Sequence, residues 1–282
     1  MTRQQLLNQA REILNQHHID DAPLESELLL RHTLNINRVQ LYLDISSDIT
    51  PRQEAAFRRL LEKRLEGEPA AYIIGCREFY GLEFYVNRDV LIPRPETELL
   101  VDQALNLAKN HRRPAIAEIG TGCGAIAIAL ALHLPEARIY GIDISAAALK
   151  VASRNCENHR VTGKVTLLHG NMLEPVPQPV DLVIANLPYV KQADLNQVNT
   201  FGYEPALALD GGIDGLDKIR RLCRQLNDRL NTDGHLLLEI GLGQRETVTS
   251  LLSRSFPSAE VAFTPDLSGI DRVVSLARSP AA

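Results

Sequence analysis

Apolar positions in the first part of the chain recur at helical spacing. Leu6, Leu7, Ala10, Ile13 and Leu14 form one stripe, and "PLESELLLRHTL" (23–34) and "NRVQLYL" (37–43) predict two shorter helices. A fourth helix is signposted in "TPRQEAAFRRLLEKRLEGEP": Thr50 can cap, Pro51 suits the first helical position, and Gln53 completes a capping box. Phe57, Leu60, Leu61 and Leu65 are its apolar face, and Gly67 and Pro69 end it. Between residues 76 and 92 the period shortens to that of strands, and "REFY", Gly81 and "LEFYV" predict a hairpin. Pro93 and Pro95 then stiffen the approach to a helix begun by Glu96, Thr97 and Glu98, whose negative charge suits a helix start.

From residue 115 strand-like and helix-like segments alternate. "AIAEIG", "RIYGIDI", "VTLLHGN", "DLVIAN" and "GHLLLEIG" read as strands, with helices at "AIAIALALHL", "AAALKVASRNCENH" and "GLDKIRRLCRQLNDRL". Such alternation predicts a parallel sheet covered by helices on both faces. "AEVAFTPD" and "RVVSLAR" near the end of the chain predict two strands with no helix between them, hence an antiparallel edge. The expected boundaries are a helical domain over 1–75, a hairpin linker over 76–92 and an α/β domain over 93–282.

Length and composition narrow the classes. The 282 residues, 45% of them hydrophobic, suffice for more than one core. A net charge of −5 argues against direct binding of nucleic acid through its phosphates. Cys76, Cys123, Cys156 and Cys223 have neither disulfide-framework nor zinc-site spacing, and the histidines form no ligand triad, so no metal is expected. "MTRQQLLNQA" lacks the apolar core of a signal peptide, and "AIAIALALHL" is far short of the roughly 20 residues that span a bilayer. The expectation is a soluble cytoplasmic monomer with no membrane contact.

The candidate chemistry begins at "EIGTGCG". Gly120, Gly122 and Gly124 stand where the first strand of the sheet meets its helix, and Asp143 ends the next strand, about 20 residues on, where a carboxylate can take both ribose hydroxyls. This predicts an adenosine-type ligand. Gly120, Gly122 and Ala125 also satisfy the looser dinucleotide pattern, so an oxidoreductase stays open here, as does a packing role for the glycines. Glu118 suits a ligand with an ammonium group better than a pyrophosphate, and S-adenosylmethionine carries an ammonium and no phosphate. Asn171 can bond the adenine edge and Met172 can lie against its face; the alternative is a turn residue beside a core residue.

"DLVIANLPYV" is a buried strand that ends in a polar corner. Asn186 offers a side-chain carbonyl, and the backbone carbonyl of Leu187 has a defined direction because it precedes Pro188. Together they can accept the two hydrogens of a planar amide or amino group while its lone pair develops, with Tyr189 covering the plane. Arg94 and Glu204 sit in proline-flanked loops and are expected to meet across the mouth of the site, a surface role being the alternative.

"EIGTGCG", "GID" and "NLPY" resemble class I S-adenosylmethionine methyltransferases with an (D/N)PPY corner, which act on planar nitrogens. More narrowly, the helical leader, "REFYGLEFYVN", "LIPRPETE" and "YEPALALDGGIDGL" resemble the HemK-type protein-glutamine methyltransferases of bacterial peptide chain release factors. The resemblance implies an α/β, Rossmann-like domain with a mostly parallel seven-stranded sheet and an antiparallel edge strand. A small helical domain that helps hold the release factor precedes it. The resemblance also implies that Gly120, Thr121, Gly122, Cys123, Gly124 and Asp143 hold S-adenosylmethionine, with Met172 beside its adenine; the expected cofactor site also takes in Glu118, Asn171 and Asn186. Asn186, Leu187, Pro188 and Tyr189 would hold the glutamine amide of a Gly-Gly-Gln loop. One departure is Leu187, where the family usually has proline and Asn186 is more restrained. The rivals are a methyltransferase for a ribosomal protein, one for adenine in DNA, and a non-catalytic cofactor-binding regulator.

Overall fold

The computed structural model describes residues 1–109, 111–198 and 202–278. They fall into two compact units, Met1–Cys76 and Arg77–Ala282. The first holds helices α1 (Arg3–Gln16), α2 (Ala22–Leu34), α3 (Arg38–Leu43), α4 (Pro51–Leu65) and α5 (Ala70–Ile74). Their apolar stripes close on one another: Leu7 and Leu14 of α1, Leu29 and Leu30 of α2, Leu41 of α3 and Phe57 of α4 are fully buried in one cluster. The capping box of α4 forms as its sequence predicts, with Thr50 and Gln53 each bonding the other's backbone N–H.

Strands β1 (Cys76–Phe79) and β2 (Leu82–Tyr85) pair in a two-stranded sheet. Tyr80 and Gly81, the two residues between them, both have positive φ, the turn whose twist suits a hairpin. Tyr80 tolerates this conformation with its N–H donated to Glu98 Oε1 at 2.8 Å and its hydroxyl to Asp102 Oδ1 at 2.8 Å. Strand structure stops at Tyr85, one residue short of the end of "LEFYV", and residues 86–92 of the linker run without regular structure toward the cleft described below.

The second unit continues with α6 (Glu98–Ala108), β3 (Ala115–Ile119), α7 (Ala125–His133), β4 (Arg138–Asp143), α8 (Ala146–Asn158), β5 (Val165–His169) and β6 (Val180–Ala185). After these come α9 (Leu195–Val198), α10 (Asp217–Arg229), β7 (Leu230–Glu239), α11 (Arg245–Ser255), β8 (Glu260–Pro265) and β9 (Asp271–Ala277). The seven-stranded sheet has the order β5-β4-β3-β6-β7-β9-β8. Pairing is parallel from β5 to β7, and β9 runs antiparallel to both β7 and β8, which gives the expected mostly parallel sheet with an antiparallel edge. Helix α11 was not among the predicted elements; its buried Val248 and Leu252 join the core of the sheet.

Alternation along each strand sorts the residues between two faces. Ala117, Ile119, Val183, Ala185, Leu236 and Leu238 share one core with Ile219, Leu222 and Leu226 of α10. The alternate residues Glu118 and Glu239 point to the opposite face, which α6 and α7 cover. Two carboxylates are thereby buried, each only 3% exposed. The fully apolar run Ala125–Ala131 of α7 is buried throughout, as befits a helix covered on all sides.

Candidate functional site

Beyond the carboxyl end of β3 the chain turns through Gly120, Gly122 and Gly124, with φ of 72°, 55° and 83°. A side chain resists this left-handed region, so the turn selects glycine. The N–H groups of Gly120 and Thr121 both donate to the carbonyl of Ile142 on β4, at 2.8 and 2.9 Å. Gly124 is packed inward: a Cβ there would lie 3.1 Å from Ile128 Cδ1 and 3.4 Å from Ala152 Cβ.

Asp143, at the end of β4, is clamped by the backbone. Gly122 N–H donates to Oδ2 at 2.9 Å and Ser145 N–H to Oδ1 at 2.8 Å. Burial pushes its pKa up, and these donors oppose the push. Glu118 accepts from the Thr121 hydroxyl at 2.6 Å and from Ala127 N–H at 2.9 Å, both at Oε2. Desolvation nevertheless raises its pKa to about 8, and the Asp143 charge adds to the rise. Strand β5 ends at His169, two residues earlier than its sequence suggests. Asn171 lies beyond it, donating to Glu174 Oε1 at 3.0 Å and accepting from Arg221 Nη1 at 3.3 Å. Met172 is buried at a positive φ of 55°.

The polar corner follows β6. Asn186 Nδ2 donates to Thr97 Oγ1 at 3.0 Å, and the Thr97 hydroxyl donates to Glu239 Oε2 at 2.6 Å. Tyr189 donates its hydroxyl to Glu239 Oε1 at 3.3 Å, and burial, with the Glu239 charge, raises its pKa to about 12. It is therefore a donor at neutral pH. Leu187 is buried in the sheet core. The Tyr189 carbonyl accepts from Gln244 Nε2 at 3.2 Å, and a Cβ on Gly215 would lie 2.4 Å from that carbonyl oxygen.

Arg94 and Glu204 meet: Arg94 Nη2 donates to Glu204 Oε2 at 2.6 Å, while Ile92 N–H donates to Oε1 at 3.1 Å. One cleft unites these groups. Glu118, Gly120, Thr121, Gly122, Cys123, Asp143, Asn171, Met172, Asn186, Leu187 and Pro188 line it, together with Pro93, Arg94 and Pro205. Gly124 and Tyr189 are not among the lining residues; the first shapes the turn and the second donates its hydroxyl to Glu239.

Two family models and several curated relatives match the chain. Residues 5–75 match the PrmC N-terminal domain and residues 95–202 the methyltransferase small domain. The release factor glutamine methyltransferase of Geobacter sulfurreducens is 42% identical over 277 residues, covering 97% of this chain and 95% of that protein. The chain belongs to the release factor glutamine methyltransferase family. The Bacillus cereus release factor glutamine methyltransferase is 39% identical over 256 residues, 88% of this chain and 90% of that one. A methyltransferase from Pyrococcus furiosus, 18% identical, shares the fold with a TM-score of 0.53 over 72% of this chain and 91% of its own.

As a member of this family the protein is an S-adenosylmethionine-dependent protein-glutamine methyltransferase, not an oxidoreductase or a silent cofactor binder. The cleft fits that cofactor. Asp143 brings a carboxylate already oriented by two N–H donors, suited to a pair of hydroxyls. Glu118 brings a second carboxyl group suited to an ammonium, and Ile126, Met172 and Leu187 bring apolar walls.

Three buried residues of the corner went unassigned in the sequence: Thr97, Glu239 and Gln244. Thr97 reads as a helix-start residue, yet its side chain makes no capping bond and turns to Glu239 instead. A signal for Glu239 was present. "LLLEIG" repeats the pattern of "AIAEIG", an acid inside an apolar strand, and such an acid is rarely buried without partners.

Proposed function

We propose that this enzyme methylates the side-chain amide nitrogen of the glutamine in a Gly-Gly-Gln loop of peptide chain release factors. The observation that carries the reading is the orientation of Asn186. Its nitrogen is committed to Thr97, so its Oδ1 is the atom left to accept hydrogen from a substrate amide. The cleft lined by Asn186 also contains the glycine turn and Asp143.

An amide nitrogen is a poor nucleophile because its lone pair is delocalised. Asn186 Oδ1 and the Leu187 carbonyl, its direction limited by Pro188, would accept the two N–H hydrogens and favour the lone pair as it localises. Bound beside Asp143 and Glu118, S-adenosylmethionine would supply an electrophilic methyl group. Arg94 with Glu204 would close the mouth and exclude water during transfer, and the surplus proton would leave to solvent after it, once the mouth opens. The helical domain would hold the protein substrate. On this reading the enzyme works in the cytoplasm as a monomer, without binding nucleic acid directly, which its net charge of −5 supports.

The test offers methyl-labelled cofactor with, separately, release factor, ribosomal protein and duplex DNA. Label is expected on the release factor glutamine. Asn186→Ala should fold and bind cofactor yet lose about 100 to 1000-fold in kcat, the scale of one preorganised polar contact. Label confined to ribosomal protein or DNA overturns the substrate, and full turnover by Asn186→Ala overturns the role of the corner.

A further inference from the structure

The Thr97 hydroxyl has a single proton and two close partners, Glu239 Oε2 at 2.6 Å and Asn186 Nδ2 at 3.0 Å. Burial pushes the Glu239 pKa up, and the Thr97 and Tyr189 hydroxyls and the Arg272 charge oppose the push. The Thr97 hydroxyl donates to Glu239 Oε2, and its lone pair is left for Asn186. A lone pair can be met only by the NH2 end of the amide, which turns Oδ1 the other way. Tyr189, donating to Glu239 Oε1, gives the same carboxylate its second partner, so both of its oxygens are accounted for by donors.

We propose that Thr97 and Glu239 are positioning residues that fix which end of the Asn186 amide faces the substrate. The amide's two ends are nearly equal in size, so packing alone does not distinguish them; only the direction of hydrogen bonding does. Reversed, Asn186 would aim its own NH2 at the substrate's NH2, donor against donor. Thr97 is 5% exposed and Glu239 3%, so water does not compete for these bonds. The inference rests on the reading of Asn186 as the acceptor and adds the device that makes it one.

Thr97→Val keeps the volume and branching of the side chain and removes the hydroxyl. It is expected to lower kcat about tenfold or more at saturating substrate, with cofactor affinity unchanged. Thr97→Ser, which restores a hydroxyl, should recover most of that loss. If Thr97 acts through Asn186, adding Thr97→Val to Asn186→Ala should cost nothing further, because the group it positions is already gone. Melting and cofactor titration establish folding of each variant, and Thr97→Ala gives the same comparison should the valine variant not fold. Wild-type kcat in the folded variant overturns the inference, as does a double variant slower than Asn186→Ala by the full Thr97→Val factor. Those results leave the Asn186 reading intact, whereas an active Asn186→Ala enzyme removes that reading first.

Discussion

Glu118 and Glu239 occupy equivalent places, each just before an Ile-Gly pair at the end of a parallel strand and each buried on the same face of the sheet. Their partners differ. Glu239 is held by hydroxyl donors from Thr97 and Tyr189, whereas Glu118 opens on the cleft and, among the described residues, is engaged at Oε2 alone, by Thr121 and Ala127. The pKa of Glu118, raised from 4.5 to about 8, has a consequence for stability. Between those values the folded protein keeps a proton that the unfolded chain has released, so this group's contribution to stability falls as pH rises through the window. Glu118→Gln, whose single amide oxygen can accept from both Thr121 and Ala127, abolishes that loss. Denaturant melts should find the variant more stable than the parent near pH 8 by on the order of a few kcal/mol, with the gap closing toward about pH 5. The same variant should bind S-adenosylmethionine more weakly. A gap that does not vary with pH would mean that Glu118 is already ionised in the ligand-free fold.

At the scale of elements, the cleft forms where the sheet reverses its order, with β4 on one side of β3 and β6 on the other. The carboxyl ends of neighbouring parallel strands diverge to opposite sides there, leaving a crevice that no helix fills. The segment from Glu204 to Gly215 closes over it. Backbone bonds join the segment to the corner, with Gly211 N–H donating to Val190 O at 2.8 Å and Val190 N–H to Leu209 O at 3.1 Å. Gly215 has φ of 80°, and a Cβ there would press on the Tyr189 carbonyl, an atom that cannot swing away like a side-chain end. Gly215→Ala should therefore displace the corner as well as strain its own turn. The expected result is a loss of about 1–3 kcal/mol in stability together with reduced kcat, read by melting and by turnover of the protein substrate. Unchanged kcat would show that the corner's geometry does not depend on this close approach.

Across the whole molecule, the groups proposed for chemistry lie in the Arg77–Ala282 unit, and the Met1–Cys76 unit has a core of its own. A fragment of residues 76–282, which retains the hairpin, should keep cofactor affinity and lose most of kcat/KM toward the intact protein substrate. Calorimetry and methyl-transfer assays on the fragment separate the two effects, and equal turnover by fragment and full chain would remove the helical unit from substrate binding. Among the described residues no helix is long and apolar enough to cross a membrane.

Whatever depends on neighbours along the chain is legible in the sequence. Helical and strand periods, the Thr50 capping box and the glycines of "EIGTGCG" are local, because period, capping and positive φ are properties of a few consecutive residues. The sequence also exposed Asn186 as a polar residue at the end of a buried strand. What that asparagine faces comes from the packing of distant segments. Thr97 is 89 residues from Asn186 and 142 from Glu239, so no window of sequence contains their network. Helix α11 went unpredicted, while its two buried positions acquire their role only by packing on a core assembled from distant strands. Which end of the Asn186 amide meets the substrate is set by one hydroxyl proton, and where that proton goes is decided by a carboxylate that the fold brings from β7.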